Sequence, residues 1–239
     1  MKYIPSIAFE EMSGSAKGVT AAKTMGRKYI RNRGYGGGTR TAAQAAVKSV
    51  FKQLSQGWKS LTNEQILAWN SLALSQAGRS VLGTSSKITG SNLYMRLNYW
   101  IVYCGGDALT APPTLRGVEA PSGAAISLTA DAFAFTLDSE PTENMADLKL
   151  VIMASAPQSN GVTRAYSKAV GIGTPKDPVS DEYDLKAEYD TRHGAPSDAA
   201  PKVFMKWFFV DTTTGEVSGE QMAVTKLTAP AAAEPGAGA

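Results

Sequence analysis

The sequence predicts an α+β protein of two domains, and three observations point to that class. Apolar residues recur every three or four positions through residues 41–106, as they do on helices. Through residues 115–228 they alternate with small or polar residues, as they do on the strands of an antiparallel sheet. The stretch Ala111-Pro112-Pro113 separates the two patterns and cannot continue a helix.

We therefore predict five segments along the chain. A basic, glycine-rich, extended arm covers residues 1–40, and a small helical domain covers residues 41–106. A proline-rich linker follows at residues 107–114. An immunoglobulin-like or fibronectin-like β-sandwich is expected over residues 115–228, and a loose tail rich in Ala, Pro and Gly over residues 229–239.

The helical domain is predicted to contain an αα-hairpin and a third helix. Thr41 is suited to cap an alanine-rich first helix, because its side chain can accept a hydrogen bond from a free backbone N–H. Thr62 and Gln65 have the spacing of a capping box at the start of a second helix. Ser91 is expected to cap the third helix. Residues 81–89 are rich in Ser, Thr and Gly and are expected to form a loop.

The C-terminal region is expected to hold about seven short strands, the number and spacing typical of an immunoglobulin-like sandwich. The strongest strand pattern is Val203–Val210, followed by a turn at Asp211–Gly215 and a returning strand. Alternation through Tyr183, Leu185 and Tyr189 also predicts a strand.

Composition argues against most familiar enzyme chemistry. The chain of 239 residues has one cysteine, Cys104, and one histidine, His193. It therefore offers no intrachain disulfide, no cysteine-built metal site and no catalytic or zinc-binding arrangement that needs two histidines. We expect no enzymatic activity and no cofactor. No apolar run reaches the roughly 20 residues of a membrane span, and the first residues lack the apolar stretch of a secretory signal.

The remaining candidates for chemistry are better explained as structural features. His193 is expected in a solvated loop, and Cys104 as a small buried hydrophobic residue at a helix end. The carboxylates between Asp177 and Asp190 lack the spacing of a calcium loop, and a charged strand edge explains them better. Ser49 and Lys52 match a Ser-x-x-Lys pattern whose companion motifs are missing.

Charge is the strongest anomaly in the sequence. The net charge is +3, but residues 1–118 hold 15 basic and 4 acidic residues (+11), whereas residues 119–239 hold 9 and 17 (−8). No acidic residue lies between Glu11 and Glu64, an interval that contains ten basic ones. Such asymmetry indicates that the first half faces an anionic partner, either nucleic acid or an acidic protein surface, including the acidic half of a second copy.

The arm is the predicted docking site. It is too sparsely apolar to offset its own ordering entropy, so a partner is expected to order it. It could also add a strand to another sheet. The residues expected to contact the partner are Lys17, Lys23, Arg27, Lys28, Arg31, Arg33 and Arg40. Tyr29 and Tyr35 lie among these cations and could stack on bases if the partner is nucleic acid.

The first half resembles a type of virion protein encoded by tailed phages and prophages, especially those of gut Bacteroidales. The similarity covers roughly residues 5–100. It rests on the motifs Phe9–Thr20, Thr41–Val47, Trp58–Asn70 and Gly90–Tyr94, of which the helix-turn-helix portion at Trp58–Asn70 is the most specific. The resemblance implies a structural protein of the head, neck or tail and brings no catalytic residue with it.

The expected function is that of a non-enzymatic structural component of a tailed phage particle, assembled in the bacterial host cytoplasm. Its partners would be other virion proteins and copies of itself in a homo-oligomeric assembly, with a possible contact to nucleic acid and none to a membrane. Two alternatives stay open: a nucleic-acid-binding protein that uses the basic arm, and a host-surface or glycan-binding module that uses the sandwich. A hydrolase is disfavoured, because no carboxylate pair can be assigned.

Overall fold

A computed structural model of the chain describes residues 12–16, 18–24, 27–32, 38–39, 41–81 and 84–228. Over these residues the fold is mixed α+β, with four α-helices and several antiparallel sheets, as the sequence predicts at this coarse level. The chain divides into two compact units, Met1–Met95 and Arg96–Ala239. The predicted tail at residues 229–239 lies outside the described residues.

The first unit begins with a three-stranded antiparallel sheet in the segment expected to be an extended arm. Its strands are β1 (Gly14–Ala16), β2 (Val19–Thr24) and β3 (Arg27–Asn32), in the order β1-β2-β3. Gly18 has φ +89°, a left-handed conformation that favours glycine and permits the tight turn between β1 and β2. The segment therefore pairs with itself, where the sequence suggested an arm that adds as a strand to another sheet or is ordered only by a partner.

Two helices follow, and both begin at the threonines that the sequence indicates. The first is α1 (Ala42–Ser60), capped by Thr41, and the second is α2 (Asn63–Ser75), capped by Thr62. Each start is a full capping box, because Gln44 and Gln65 reach back to the backbone N–H of their capping threonine. The box at Gln44 was not anticipated.

A hairpin replaces the loop expected at residues 81–89. Strands β4 (Ala77–Val81) and β5 (Thr84–Lys87) pair antiparallel, with a register shift between Gly78 and Val81. The segment has no alternation of apolar residues, and backbone hydrogen bonds alone define its strands. A pattern search for alternating hydrophobicity therefore misses it.

Helix α3 (Gly90–Tyr103) contains the division between the two units, which lies between Met95 and Arg96. Its N-cap is Thr89, not Ser91, because the Asn92 N–H donates to Thr89 Oγ1 at 3.1 Å. Within the first unit, the Tyr94 ring lies 5.4 Å from that of Trp58 on α1 and 5.3 Å from that of Trp69 on α2. These aromatic residues form a core, as expected from their helical spacing.

The second unit starts with the C-terminal half of α3, earlier than the proline-rich stretch at residues 107–114 that the sequence suggests as a boundary. Asn98 on this half is fully buried and holds that stretch in place. Its Oδ1 accepts from the Leu109 N–H at 2.5 Å, and its Nδ2 donates to the Leu109 carbonyl at 3.4 Å. The proline-rich stretch is thus hydrogen-bonded to α3, the helix that precedes it.

Seven strands of the second unit form two antiparallel sheets over the described residues. The bounds are β6 (Ala124–Leu128), β7 (Phe133–Leu137), β8 (Leu148–Ala154), β9 (Val170–Gly171), β10 (Tyr183–Asp184), β11 (Lys202–Asp211) and β12 (Gln221–Lys226). One sheet has the order β10-β7-β6 and the other β12-β11-β8-β9. In the second sheet β11 pairs with β8 from Met205↔Ala154 to Asp211↔Leu148.

The two sheets of the second unit share one hydrophobic core. Phe133 and Phe135 of β7 belong to the same buried cluster as Trp207 of β11. The other face of β11 is also covered, because Phe208 lies against Trp100 of α3 with ring centroids 5.1 Å apart. Burial on both faces explains why β11 is an almost continuous apolar run.

The predicted strand through Tyr183, Leu185 and Tyr189 is correct only at its start. After β10 the chain forms α4 (Lys186–His193), whose N-cap residue Leu185 is four residues from Tyr189, and both are fully buried. That separation fits one helical turn as well as a strand, and periodicity alone does not distinguish the two. His193 therefore ends a helix, where the sequence suggested a loop.

Candidate docking interface

The predicted docking residues that the structure describes lie on one small sheet. Lys23 is on β2, and Arg27, Lys28 and Arg31 are on β3; we call the sheet β1–β3 the basic sheet. The Lys23 and Arg31 side chains are exposed. The other three predicted docking residues, Lys17, Arg33 and Arg40, lie outside the described residues.

Strand register distributes the cations over both faces of the basic sheet. Lys23 lies directly opposite Lys28, and two positions along, Ala21 lies opposite Ile30 on the same face. Positions 27, 29 and 31 of β3 share the other face. The described cations of the basic sheet are therefore divided between its two faces.

Further cations lie on α1. The side chains of Lys48, Lys52 and Lys59 are all exposed on this helix. Apolar side chains are also exposed on the helical pair, since Leu67 and Leu74 of α2 are 67% and 66% exposed. These two leucines are seven residues apart and therefore share one face of α2. The first unit thus combines positive charge with exposed apolar surface.

The second unit carries an acidic strand edge, but only part of the cluster predicted between Asp177 and Asp190 belongs to it, because Glu188 and Asp190 lie on α4 and pair with Lys176 and Lys186. We call Glu140, Asp181, Glu182 and Asp184 the acidic edge. Asp184 is on β10, the edge strand of its sheet, and the Ser180 N–H donates to Glu140 Oε1 at 3.0 Å. Burial raises the pKa of Tyr183, and the charges of Asp177, Asp181 and Glu140 raise it further. These carboxylates therefore surround one short strand.

Sequence analysis missed the most extensive polar cluster that the structure describes, which is centred on Asp211. Its side chain is 1% exposed and accepts from Arg116 Nε at 2.8 Å and from Thr213 Oγ1 at 2.6 Å. Arg116 also donates to Asp147 Oδ2 at 2.9 Å and to Asn144 Oδ1 at 3.2 Å. Arg116 and Asp211 are 95 positions apart, so no local motif links them.

The pKa of Asp211 is lowered from 3.8. Burial alone would raise it, but hydrogen bonds from Thr213, Arg116 and the backbone N–H of Thr214 outweigh that effect by stabilising the carboxylate. The cluster joins residue 116, just after the proline-rich stretch, to the turn after β11. Because its hydrogen bonds fix two segments far apart in the sequence to each other, we assign the cluster a structural role.

His193 is partly buried and lacks an organised catalytic setting among the described residues. Its ring centroid lies 5.2 Å from that of Tyr189, and its Nε2 atom is buried without a hydrogen-bond partner in this part of the chain. Burial lowers the pKa of His193, with a smaller contribution from the charge of Arg192, while a hydrogen bond to the Ala154 backbone opposes the shift. The residue is suited to a packing role.

Cys104 follows α3 and is half-buried. Burial raises the pKa of its thiol to about 11, although the charge of Lys149 lowers it slightly. The thiol is therefore almost wholly protonated at neutral pH, which makes it a poor nucleophile. This agrees with the expectation of a small hydrophobic residue.

Other kinds of site find little support in the described part of the chain. No group of three or more His, Cys, Asp or Glu residues there could hold a metal ion. None of the helices within the described ranges is both long and apolar enough to cross a bilayer. Phe204, Trp207, Phe208 and Phe209 of β11 are all buried, so none offers a stacking surface for a glycan.

Comparison of the chain with known proteins finds no relative. No family model matches the chain, no curated protein matches it, and no solved structure matches it. The function is therefore argued from the residues and their arrangement.

Proposed function

We propose that the chain is a non-enzymatic structural component of a tailed bacteriophage particle, located in the head, neck or tail. It docks through its basic N-terminal arm and helices onto an acidic surface of other virion proteins. The observation that carries this proposal is the basic sheet. Four cations lie on β2 and β3, while no acidic residue occurs from position 12 to position 63.

The resemblance of residues 5–100 to virion proteins of tailed phages supports the same proposal from the sequence side. The exposed leucines of α2 support it from the structural side, because apolar surface left open in one chain is suited to burial against a neighbour. An assembly of many copies also allows each contact to be weak, since repeated contacts act together.

For the second unit we propose an immunoglobulin-like β-sandwich over residues 115–228, with the C-terminal half of α3 packed on one face of β11. Two antiparallel sheets with seven strands and a shared core support this. In the particle this domain projects from the surface or packs against its neighbours.

Incorporation into particles tests the docking proposal. Residues 1–40 are deleted, the variant is expressed in cells that assemble the particle, and purified particles are probed for the chain. We expect incorporation to be lost. A finer variant, Lys23→Gln with Arg31→Gln, is expected to reduce incorporation, whereas the matched control Arg164→Gln with Lys168→Gln removes the same charge from two exposed residues of the second unit and has a smaller effect. Full incorporation of the deletion variant would overturn the proposal.

Nucleic-acid binding is the second candidate, and the position of Tyr29 favours it. Tyr29 lies on β3 two residues from Arg27 and two from Arg31, so the three positions share one face of the basic sheet. A tyrosine and an arginine two positions apart on one face of a strand, as Tyr29 and Arg31 are, suit stacking on bases beside phosphates. Filter binding over a range of salt concentrations separates the candidates, because phosphate contacts make affinity fall steeply with salt. Tyr29→Ala should weaken DNA binding and leave protein docking largely intact.

A further inference from the structure

The outer face of the four-stranded sheet in the second unit is covered at β11 and open at β12. At β11, Phe208 lies against Trp100 of α3, with ring centroids 5.1 Å apart. The neighbouring strand β12 is at the edge of the sheet. Two of its apolar side chains are half exposed, Met222 at 50% and Val224 at 49%. An apolar pair left open on an edge strand is suited to contact with another molecule.

The register of β12 with β11 places both of these side chains on the outer face. Met222 lies directly opposite Lys206, and Val224 lies opposite Phe204. Residues that oppose each other on neighbouring strands project on the same side of the sheet. Ala223, between Met222 and Val224, packs against the core on the other side. The two exposed side chains are therefore neighbours on one surface.

Charges of opposite sign flank this pair on the same face. Glu220 precedes Met222 by two positions, and Lys206 Nζ donates to its Oε1 at 3.0 Å, which places Glu220 on the outer face. Lys226 follows Val224 by two positions, is exposed and has no carboxylate partner among the described residues. The positions 220, 222, 224 and 226, which we call the β12 row, thus hold an acid, two apolar side chains and a base over about 20 Å.

We infer that the β12 rows of two copies dock face to face across a two-fold axis, with their strands antiparallel. Met222 of each copy then meets Val224 of the other, and Glu220 of each copy meets Lys226 of the other. A two-fold interface uses the same surface twice and therefore requires this kind of self-complementarity. The Glu220 side chain is 39% exposed, and a carboxylate accepts several donors, so it can bind the second copy's lysine while it keeps Lys206.

The signs of the charges select the antiparallel arrangement. Parallel rows would oppose Glu220 to Glu220 and Lys226 to Lys226, which is unfavourable. Contact through side chains is also favoured over extension of the sheet from its edge. Just beyond β12 the Thr228 N–H already donates to the Leu128 carbonyl of β6 at 2.8 Å, which closes that end of the edge.

The predicted dimer is weak and reversible. The β12 row is short, whereas a standard interface has about 20–30 residues on each side. Such a contact becomes effective where many copies are held close together, because repeated contacts act jointly. The inference concerns the second unit alone and does not depend on the docking role of the basic arm.

Sedimentation equilibrium of the full-length protein over a range of concentrations measures the association. We expect a monomer–dimer equilibrium, and monomer at every concentration reached would overturn the inference. Met222→Gln with Val224→Gln removes the apolar centre without changing the charge and should weaken the dimer by about tenfold or more. The matched control Leu67→Gln with Leu74→Gln makes the same kind of change on α2 and should dimerise like the wild type.

Charge exchange then tests the arrangement of the two copies. Glu220→Lys alone and Lys226→Glu alone each oppose like charges at both ends of the contact, so each should weaken the dimer by about tenfold or more. The double variant, Glu220→Lys with Lys226→Glu, restores opposite charges and should dimerise again. An equal mixture of the two single variants should form a mixed dimer for the same reason. The control Asp131→Lys makes the same charge change in the turn between β6 and β7 and should not weaken the dimer.

Recovery in the double variant and in the mixture shows that the single variants lose an interface and remain folded. Failure of either to dimerise would overturn the inference, as would an Asp131→Lys control that is weakened as much as Glu220→Lys. A wild-type dimer that is indifferent to all of the β12 variants would also overturn it. None of these outcomes bears on the proposed docking function, which is tested by incorporation of the variant that lacks residues 1–40.

Discussion

Replacing Asp211 by Asn should destabilise the second unit measurably while leaving its shape unchanged. The carboxylate is 1% exposed and accepts four hydrogen bonds, from Arg116 Nε, Thr213 N, Thr213 Oγ1 and Thr214 N. An asparagine can keep its oxygen towards the two threonines. Its amide nitrogen then faces Arg116, so that two donors oppose each other and the negative charge is lost.

The size of the destabilisation follows from the loss of the hydrogen bond between Arg116 and Asp211. A hydrogen bond to a charged group contributes roughly 1.5–3 kcal/mol. Since Arg116 is 35% exposed and water can solvate it in the variant, we expect a loss near the lower end, about 2 kcal/mol. Urea unfolding, monitored by tryptophan fluorescence and circular dichroism, measures this loss as a lower midpoint urea concentration. The slope of the unfolding free energy against urea concentration should not change. The control Asp131→Asn removes an exposed carboxylate and should change the stability by less than about 0.5 kcal/mol.

The pH dependence gives the same prediction an independent check. The pKa of Asp211 is lowered from 3.8 in the folded protein, so the unfolded state binds the proton more readily. The stabilisation is therefore fully present above pH 3.8 and is lost as the pH falls through the folded-state pKa. The difference between wild type and Asp211→Asn should be constant from pH 5 to pH 7 and should shrink below pH 3.8. An unchanged midpoint at pH 7, or a difference that persists undiminished in acid, would refute the reasoning.

Three further predictions address packing in the two units. Burial lowers the pKa of His193 below 6.5, so its contribution to stability is present above pH 6.5 and declines as the pH falls through the folded-state pKa. His193→Gln should remove this pH dependence from the unfolding free energy, and an unaltered pH dependence in the variant would contradict the prediction. Gly215 has φ +73°, and a Cβ there would lie 2.7 Å from the carbonyl carbon of Leu97. Gly215→Ala should lower the free energy of unfolding by about 2 kcal/mol or more. An unchanged midpoint of thermal unfolding would refute the assigned clash. Leu67→Gln with Leu74→Gln should change the unfolding free energy by less than about 0.5 kcal/mol, because both side chains are mostly exposed; a larger loss would mean that they pack within the chain.

Local signals predicted much of the helical region and the strongest strand. Thr62 and Gln65 could be identified because a capping box requires only four consecutive residues. Val203–Val210 could be identified because both of its faces are buried, which gives an apolar run that few other structures explain. Gly215 could be assigned to a turn because only glycine takes its positive φ without strain.

The missed features depend on contacts that a local pattern does not contain. Leu185 and Tyr189 fit a strand or a helix equally well, and burial against the core selects α4. The β4–β5 hairpin has no apolar alternation to reveal it. The pairing of Arg116 with Asp211 spans 95 positions. One signal was present, since Asp211 begins a turn rich in threonine, a place where a carboxylate commonly accepts backbone hydrogen bonds.

The site was only partly predictable for a related reason. Charge counting identified Lys23, Arg27, Lys28 and Arg31 as a group, because charge asymmetry is visible in composition alone. It did not reveal that Lys23 lies opposite Lys28 on neighbouring strands, since that depends on the register of β2 with β3. The acidic edge was expected as a strand edge, but its pairing with β7 appears only in the folded sheet.

Carbodiimide cross-linking of assembled particles tests the central claim most directly, because the reagent joins a lysine to a carboxylate only where the two are in contact. After digestion and mass spectrometry, the account predicts that Lys23 or Lys28 is joined to an aspartate or glutamate of a neighbouring polypeptide. Particles in which neither lysine is cross-linked to a neighbour, while the exposed Lys168 and Lys226 of the second unit are, would contradict it.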